Sequence, residues 1–180
     1  RLYRGNSEFS GIGFNAVDVW MQYLDQGWEH PKGQGRLDAK RKVKMLCGKN
    51  VPMVRVMSPF FARWYEEVFF DKDPEIQKQK KLDFFTATDE MLHDFNNCGI
   101  YLELQIMFSI DAFADLGHTS LHDALTNLKS LSYQRFKEIA EAIAKRYRGW
   151  PGFIIGLGNE WDLFADLQHL NGVLNISDDM

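Results

Sequence analysis

A short polar motif near the end of the chain carries the residues best suited to chemistry. The apolar run 153–155 leads into Gly-Leu-Gly-Asn-Glu-Trp-Asp at positions 156–162. A carboxyl group beside apolar rings keeps its proton to higher pH, because such surroundings disfavour the charged form. Glu160, followed by Trp161, therefore has the character of a proton donor. Cleavage of a glycosidic bond requires such a group opposite a second carboxylate, and the neighbouring Asn159 amide suits a sugar hydroxyl.

Aromatic side chains recur after each of four apolar runs that we interpret below as strands. Sugar rings present apolar C–H faces to aromatic planes, so such rings suit a polysaccharide cleft, although some of them must pack the loops. The aromatic residues concerned are Trp20, Trp28, Phe60, Phe61, Trp64, Tyr65, Phe113, Trp161 and Phe164. We take Trp20, Trp64 and Trp161 as the candidates for substrate contact.

A third set of polar residues lies inside the apolar runs themselves. Alternation along the third run aims Glu103 and Gln105 to one side of a strand, where Arg55 of the second run can join them. Glu103 is thus a candidate for a second carboxylate. An ion pair between Glu103 and Arg55 is the interpretation that we favour.

The elements that position these residues follow from hydrophobic patterning. Four segments rich in apolar residues and bounded by Gly, Pro or Asn are typical of buried strands, and three segments with a 3.6-residue period between them are typical of amphipathic helices. Asn97, Gly99 and Gly149 provide stop signals for the second and third helices. The predicted strands are Gly11–Val17, Val51–Met57, Gly99–Phe108 and Gly152–Gly158. The predicted helix faces are Ala39, Val43 and Leu46, then Leu82, Phe85, Leu92 and Phe95, then Phe136, Ile139, Ala140, Ile143 and Tyr147.

The order β-α-β-α-β-α-β predicts parallel strands joined by helical crossovers. Long segments follow the first three strands, where a (β/α)₈ TIM barrel builds its active site. We therefore predict one α/β domain over residues 1–180, a half-barrel made of the first four βα units. The alternative is a complete, small doubly wound sheet. Positions 11–16 fit the loose dinucleotide fingerprint, but residues 1–10 are a poor strand to precede it, so we interpret the match as chance.

Four segments of the chain resemble those of the retaining glycoside hydrolases of clan A, particularly cellulase-like members of family 5. Asn159-Glu160 is similar to the Asn-Glu pair that ends their fourth strand. Val54-Arg55-Val56 resembles the setting of the Arg in their second strand, and Gly13-Phe14-Asn15 resembles the Gly-x-Asn pattern that ends their first. Positions 82–102 resemble their second helix running into strand three.

The resemblance implies a role for each matching residue. Glu160 would be the acid/base, Asn159 would contact the sugar 2-hydroxyl, Arg55 would support the nucleophile, and Asn15 would join the substrate-binding residues. The nucleophile of the clan is a Glu at the end of strand seven, beyond the four strands found here. The resemblance thus implies double displacement on a β-linked glucan or mannan, without a metal or an organic cofactor, and a secreted or periplasmic location.

Two other functions remain open at this stage. The chain can be a non-catalytic carbohydrate-binding half-barrel that keeps the aromatic cleft, or a doubly wound nucleotide-binding domain, for which no phosphate loop is found. The net charge of −4, with Lys and Arg spread along the chain, lacks the basic footprint of a nucleic-acid binder. No apolar run approaches the length of a membrane span.

The open edges of a half-barrel predict a partner. Strands one and four would leave their outer backbone groups unpaired, so we expect a missing C-terminal half or self-association, and an isolated chain without hydrolytic activity. Cys47 and Cys98 each lie near a predicted helix end. A disulfide between them is possible, but two free thiols are the interpretation favoured by the sequence.

Overall fold

The computed structural model describes residues 3–4, 7–8, 13–25, 33–58, 62–107 and 110–158. The described strands are β1 (Tyr3–Arg4), β2 (Ser7–Glu8), β3 (Phe14–Asn15), β4 (Met53–Met57), β5 (Tyr101–Met107) and β6 (Phe153–Gly158). The described helices are α1 (Val19–Tyr23), α2 (Gln34–Gly48), α3 (Ala62–Phe69), α4 (Pro74–Asn97), α5 (Ile110–Asp115), α6 (Leu121–Thr126) and α7 (Leu131–Tyr147). None of the helices in these ranges is long and apolar enough to cross a membrane.

Strands β3 to β6 form one parallel sheet in the order β3-β4-β5-β6. The predicted alternation of parallel strands and helices is confirmed. A doubly wound sheet reverses its strand order at a switch point, whereas the four described strands follow the order of the chain. The short antiparallel hairpin β1–β2 was not predicted from residues 1–10.

The helices pack through the faces that the 3.6-residue period indicates, with one exception. The predicted core residues of α2 and α7 are all buried. In α4, Leu82 is 58% exposed and Phe85 is half-buried, while Phe84 is buried. Each helical residue turns the side chain by about 100°, so Leu82 lies nearly opposite Phe84, and Phe84 selects the face that meets the core.

Local signals begin and end these helices. The Asp73 carboxylate accepts hydrogen bonds from the backbone N–H groups of Glu75 and Ile76, at 2.9 and 3.3 Å, at the start of α4. After the ends of α4 and α7, Gly99 and Gly149 have φ values of 67° and 78°. Glycine adopts this left-handed conformation without strain, so the predicted stop signals are confirmed.

Cys47 and Cys98 form a disulfide, with their Cα atoms 5.2 Å apart. The preference for free thiols was therefore wrong. Cys47 lies at the end of α2 and Cys98 directly follows α4. The bond thus joins the two helix ends from which the chain enters β4 and β5, a proximity that spacing along the sequence does not reveal.

Candidate functional site

The two faces of the parallel sheet differ in chemistry. Side chains at alternate positions of β4 and β5 are apolar and fully buried in the core that also contains the helices. They are Val54, Val56, Leu102, Leu104 and Ile106. The helices of the described chain cover these residues, so this face of the sheet needs no further wall to bury it.

The opposite face carries a polar row across the strands. The parallel register places Asn15 beside Arg55, Arg55 beside Glu103, and Glu103 beside Ile154. Arg55 and Glu103 keep 30% and 24% of their side-chain surface exposed, and Arg55 Nε lies 3.6 Å from Glu103 Oε1. The favoured ion pair between them is confirmed. Asn15 is exposed, and the next backbone N–H, that of Ala16, donates to the Arg55 carbonyl oxygen at 2.8 Å.

Gln105 joins this row from the next position on the same face of β5. Its side-chain amide donates a hydrogen bond to Glu103 Oε1, and the residue is only 3% exposed. In the register it lies beside Gly156 of β6. A Cβ atom on Gly156 would fall 2.1 Å from Gln105 Nε2. Because Gly156 has no side chain, the Gln105 amide can occupy this space.

Asn159, Glu160 and Trp161 lie outside the described residues. The strand that precedes them ends at Gly158, which the register places beside Met107 near the carboxyl end of β5. Strand β5 separates β6 from β4, so the strand before Glu160 is not the immediate neighbour of the strand that carries Arg55. The roles assigned to these three residues stay predictions.

Trp20 occupies the core and not an open cleft. It is completely buried in α1, and its indole N–H donates to the Thr88 hydroxyl of α4 at 3.0 Å. Its ring packs 5.8 Å from that of Phe84. The structure therefore corrects the expectation that Trp20 stacks on substrate. The physical reason is that the segment after β3 turns at once into a helix that packs against α4.

Two further aromatic residues that were predicted to follow strands also lie in the core. Tyr65 and Phe113 are fully buried. The Tyr65 hydroxyl donates to the Ile106 carbonyl oxygen at 2.6 Å, and burial raises the pKa of this phenol. This bond anchors α3, in the segment after β4, to the end of β5. The sequence pattern did not predict this hydrogen bond between Tyr65 and β5.

Trp64 is half-buried and lies in the helix layer. Its ring centroid is 5.5 Å from that of Phe84. Both rings line a cavity of about 560 Å³ whose charged lining includes Arg36, Lys80 and Asp83. Arg55 and Asn15 do not line this cavity. The structure thus does not bring Trp64 together with the polar row.

The described residues contain no group of three or more His, Cys, Asp and Glu side chains arranged to hold a metal ion. The polar row instead combines a guanidinium, a carboxylate and an amide on one side of a parallel sheet. These groups can bind a hydroxyl or a second carboxylate and orient it. Alternation predicted Glu103 and Gln105, whereas the role of Gly156 required knowledge of the neighbouring strand.

Comparison with known proteins yields a likeness of fold. A solved structure described as a glycoside hydrolase matches with a TM-score of 0.62 at 9% sequence identity, over 98% of this chain and 36% of that one. This chain therefore spans little more than a third of that neighbour's length. No family model and no curated protein matches the sequence.

Proposed function

We propose that this chain is part of a retaining glycoside hydrolase that cleaves a β-linked glucan or mannan. The observation that carries the proposal is the parallel sheet whose polar row includes Arg55 and whose last described strand runs directly into Asn159-Glu160. The likeness of fold to a glycoside hydrolase over nearly the whole chain supports it. In this proposal the four strands are the first half of a (β/α)₈ barrel, and the nucleophile lies in polypeptide beyond them.

Each predicted residue has a defined role in the reaction, and Glu160 acts twice, first as acid and then as base. The Glu160 carboxyl group protonates the leaving oxygen while the nucleophile attacks the anomeric carbon, and the glycosyl–enzyme bond forms. The Glu160 carboxylate then takes a proton from water, which attacks the same carbon and releases the nucleophile. Asn159 holds the sugar 2-hydroxyl, and Arg55 donates to the nucleophile carboxylate.

The remaining predicted contacts concern substrate and surroundings. Trp161 and Asn15 extend the site along the sugar chain. Trp64 contacts substrate outside the polar row. The disulfide favours an oxidising compartment, such as the periplasm or the outside of the cell. A second half of the barrel, on the same polypeptide or another copy, covers the Arg55 side of the sheet.

Activated substrates test the role of Glu160 directly. In the natural polypeptide that contains this chain, Glu160→Gln is expected to lower kcat on unactivated β-glucan or β-mannan by about 10²–10⁴-fold. It should spare the first step on a dinitrophenyl glycoside, because that leaving group needs no proton. Azide, which needs no general base, should restore turnover and give the β-glycosyl azide.

Asp162→Asn is the matched control, since it neutralises a carboxylate two positions away without touching the proposed acid/base. Equal losses in the two variants, or no azide product, would contradict the assignment. Sugar binding without hydrolysis by the intact protein would favour the carbohydrate-binding alternative. The isolated 180-residue chain is expected to be inactive, and robust hydrolysis by it would remove the need for a second half.

A further inference from the structure

Arg55 has a defined electrostatic partner on its own side of the sheet. Glu103 lies beside it in the register, with Arg55 Nε 3.6 Å from Glu103 Oε1. Of the five guanidinium N–H groups, the one at Nε is closest to the backbone. A carboxylate beside Nε limits the orientations of the guanidinium group. It leaves the two terminal nitrogens as donors for another acceptor.

Glu103 is in turn held by Gln105. The Gln105 amide donates to the same Oε1 atom that faces Arg55. Gln105 is 97% buried, since its exposed fraction is 3%. It lies over Gly156, where a Cβ atom would overlap its amide. Burial and the hydrogen bond to Glu103 thus hold Gln105 in the space that Gly156 leaves open.

Two atoms in this cluster are buried without a hydrogen-bond partner within the part of the chain that the structure describes. They are Arg55 Nε and Gln105 Oε1. A buried polar atom without a partner costs about 1–3 kcal/mol, and such atoms are rare in native proteins, where a catalytic role is one explanation for them. At 3.6 Å the Arg55–Glu103 contact is an ion pair and is too long for a hydrogen bond.

We propose that Glu103 and Gln105 are positioning residues that hold the Arg55 guanidinium in the orientation needed to support the nucleophile. This inference rests on the proposed hydrolase function. Gln105, kept in place above Gly156, fixes the Glu103 carboxylate, and Glu103 fixes the Nε side of Arg55. The arginine is thereby preorganised before substrate arrives, so its alignment costs nothing in the transition state.

A double-mutant cycle in the natural polypeptide that contains this chain tests the coupling. Glu103→Gln keeps the shape and removes the charge, and it is expected to lower kcat by about 10–100-fold with KM within about twofold. In an Arg55→Lys background the same change should cost less than about threefold, because its target is already gone. Gln105→Met should show the same pattern with a smaller loss. Additive losses in the two backgrounds would overturn the proposal.

A measurement independent of activity separates this inference from the proposed function. The Nε–Hε resonance of Arg55, assigned by its absence in Arg55→Lys, is expected to shift in Glu103→Gln and in Gln105→Met. Glu141→Gln is the matched control, because Glu141 pairs with Lys137 on the exposed face of α7, and it should leave both the resonance and kcat unchanged. If the protein proves to lack hydrolytic activity, the proposed function fails while the resonance still reports the network. An unshifted resonance in both network variants would overturn the positioning network itself.

Discussion

At the scale of single residues, burial decides what an aromatic ring can do. Trp20 donates to the Thr88 hydroxyl, which in turn donates to the Phe84 carbonyl oxygen at 2.8 Å. This chain of hydrogen bonds ties α1 to α4 inside the core. Trp64 belongs to the same aromatic cluster but keeps part of its surface exposed to a cavity. Both tryptophans follow a predicted strand in the sequence, but Trp20 is a core residue and Trp64 lines a cavity.

Substitution of the two tryptophans should separate these two roles. Trp20→Phe is expected to lower the free energy of unfolding by about 1–3 kcal/mol, because it removes a buried hydrogen bond and leaves a small void. Trp64→Phe should cost less than about 1 kcal/mol, since its ring is only half-buried. Urea denaturation at neutral pH measures both. Equal losses would show that Trp64 is as much a core residue as Trp20.

At the scale of secondary-structure elements, two glycines allow close approach. Gly156 lets the Gln105 side chain of β5 lie against β6. Gly117, in the turn after α5, lies so close to the start of α7 that a Cβ atom would fall 2.2 Å from the Ser132 backbone nitrogen. A side-chain amide can move away from an added methyl group, whereas a helix backbone cannot. The two positions therefore differ in what an alanine would displace.

Alanine at these two positions should have different consequences. Gly117→Ala is expected to destabilise the protein by at least about 1–3 kcal/mol, because α5 and α7 must separate. Gly156→Ala should cost less stability and instead move Gln105 away from Glu103, which under the proposed hydrolase function lowers kcat. Thermal unfolding together with kcat on a β-glucan distinguishes the two effects. The prediction fails if Gly156→Ala leaves the Arg55 Nε–Hε resonance unshifted.

At the scale of the whole molecule, one disulfide and three buried tyrosines join elements that are far apart in the sequence. The disulfide joins the ends of α2 and α4 across a sequence separation of 51 residues. Burial raises the pKa values of Tyr23, Tyr65 and Tyr147, and hydrogen bonds to Asp94 and Asp89 raise those of Tyr23 and Tyr147 further. Both features link fold stability to solution conditions, redox in one case and alkaline pH in the other.

Loss of the disulfide should weaken the whole fold. Cys98→Ser is expected to lower the free energy of unfolding by about 2–4 kcal/mol, because the unfolded chain regains the freedom of the closed loop. Dithiothreitol should lower the urea midpoint of the parent protein and leave that of Cys98→Ser unchanged. A parent midpoint that does not respond to complete reduction would contradict this expectation.

The buried tyrosines predict a fall in stability at high pH. A tyrosine in the unfolded chain ionises at about pH 10. The three buried tyrosines of the folded protein ionise at higher pH. Their contribution is therefore fully present below the unfolded pKa and is lost as pH rises above it, because unfolding then releases protons. Tyr65→Phe should lower stability at pH 8 but make its decline between pH 10 and 11 shallower. Urea midpoints across that range, beside absorbance at 295 nm, measure the effect.

Sequence patterns predicted the features that depend on near neighbours in the chain. The 3.6-residue period predicted the buried faces of α2 and α7, because a helix is built from local hydrogen bonds. Two-residue alternation is also local, and it predicted that Glu103 and Gln105 share one face of their strand. Glycines after α4 and α7 marked their ends, since the left-handed conformation is itself local.

Other features depend on contacts between segments that are far apart in the chain, and sequence patterns did not predict them. The tertiary structure placed Trp20 against α4, joined Cys47 to Cys98, and turned Phe84 instead of Leu82 toward the core. Each outcome depends on which surface another element presents, and no periodic pattern records that. The Gln105 amide above Gly156 has the same origin, because its space exists only where β5 and β6 lie side by side.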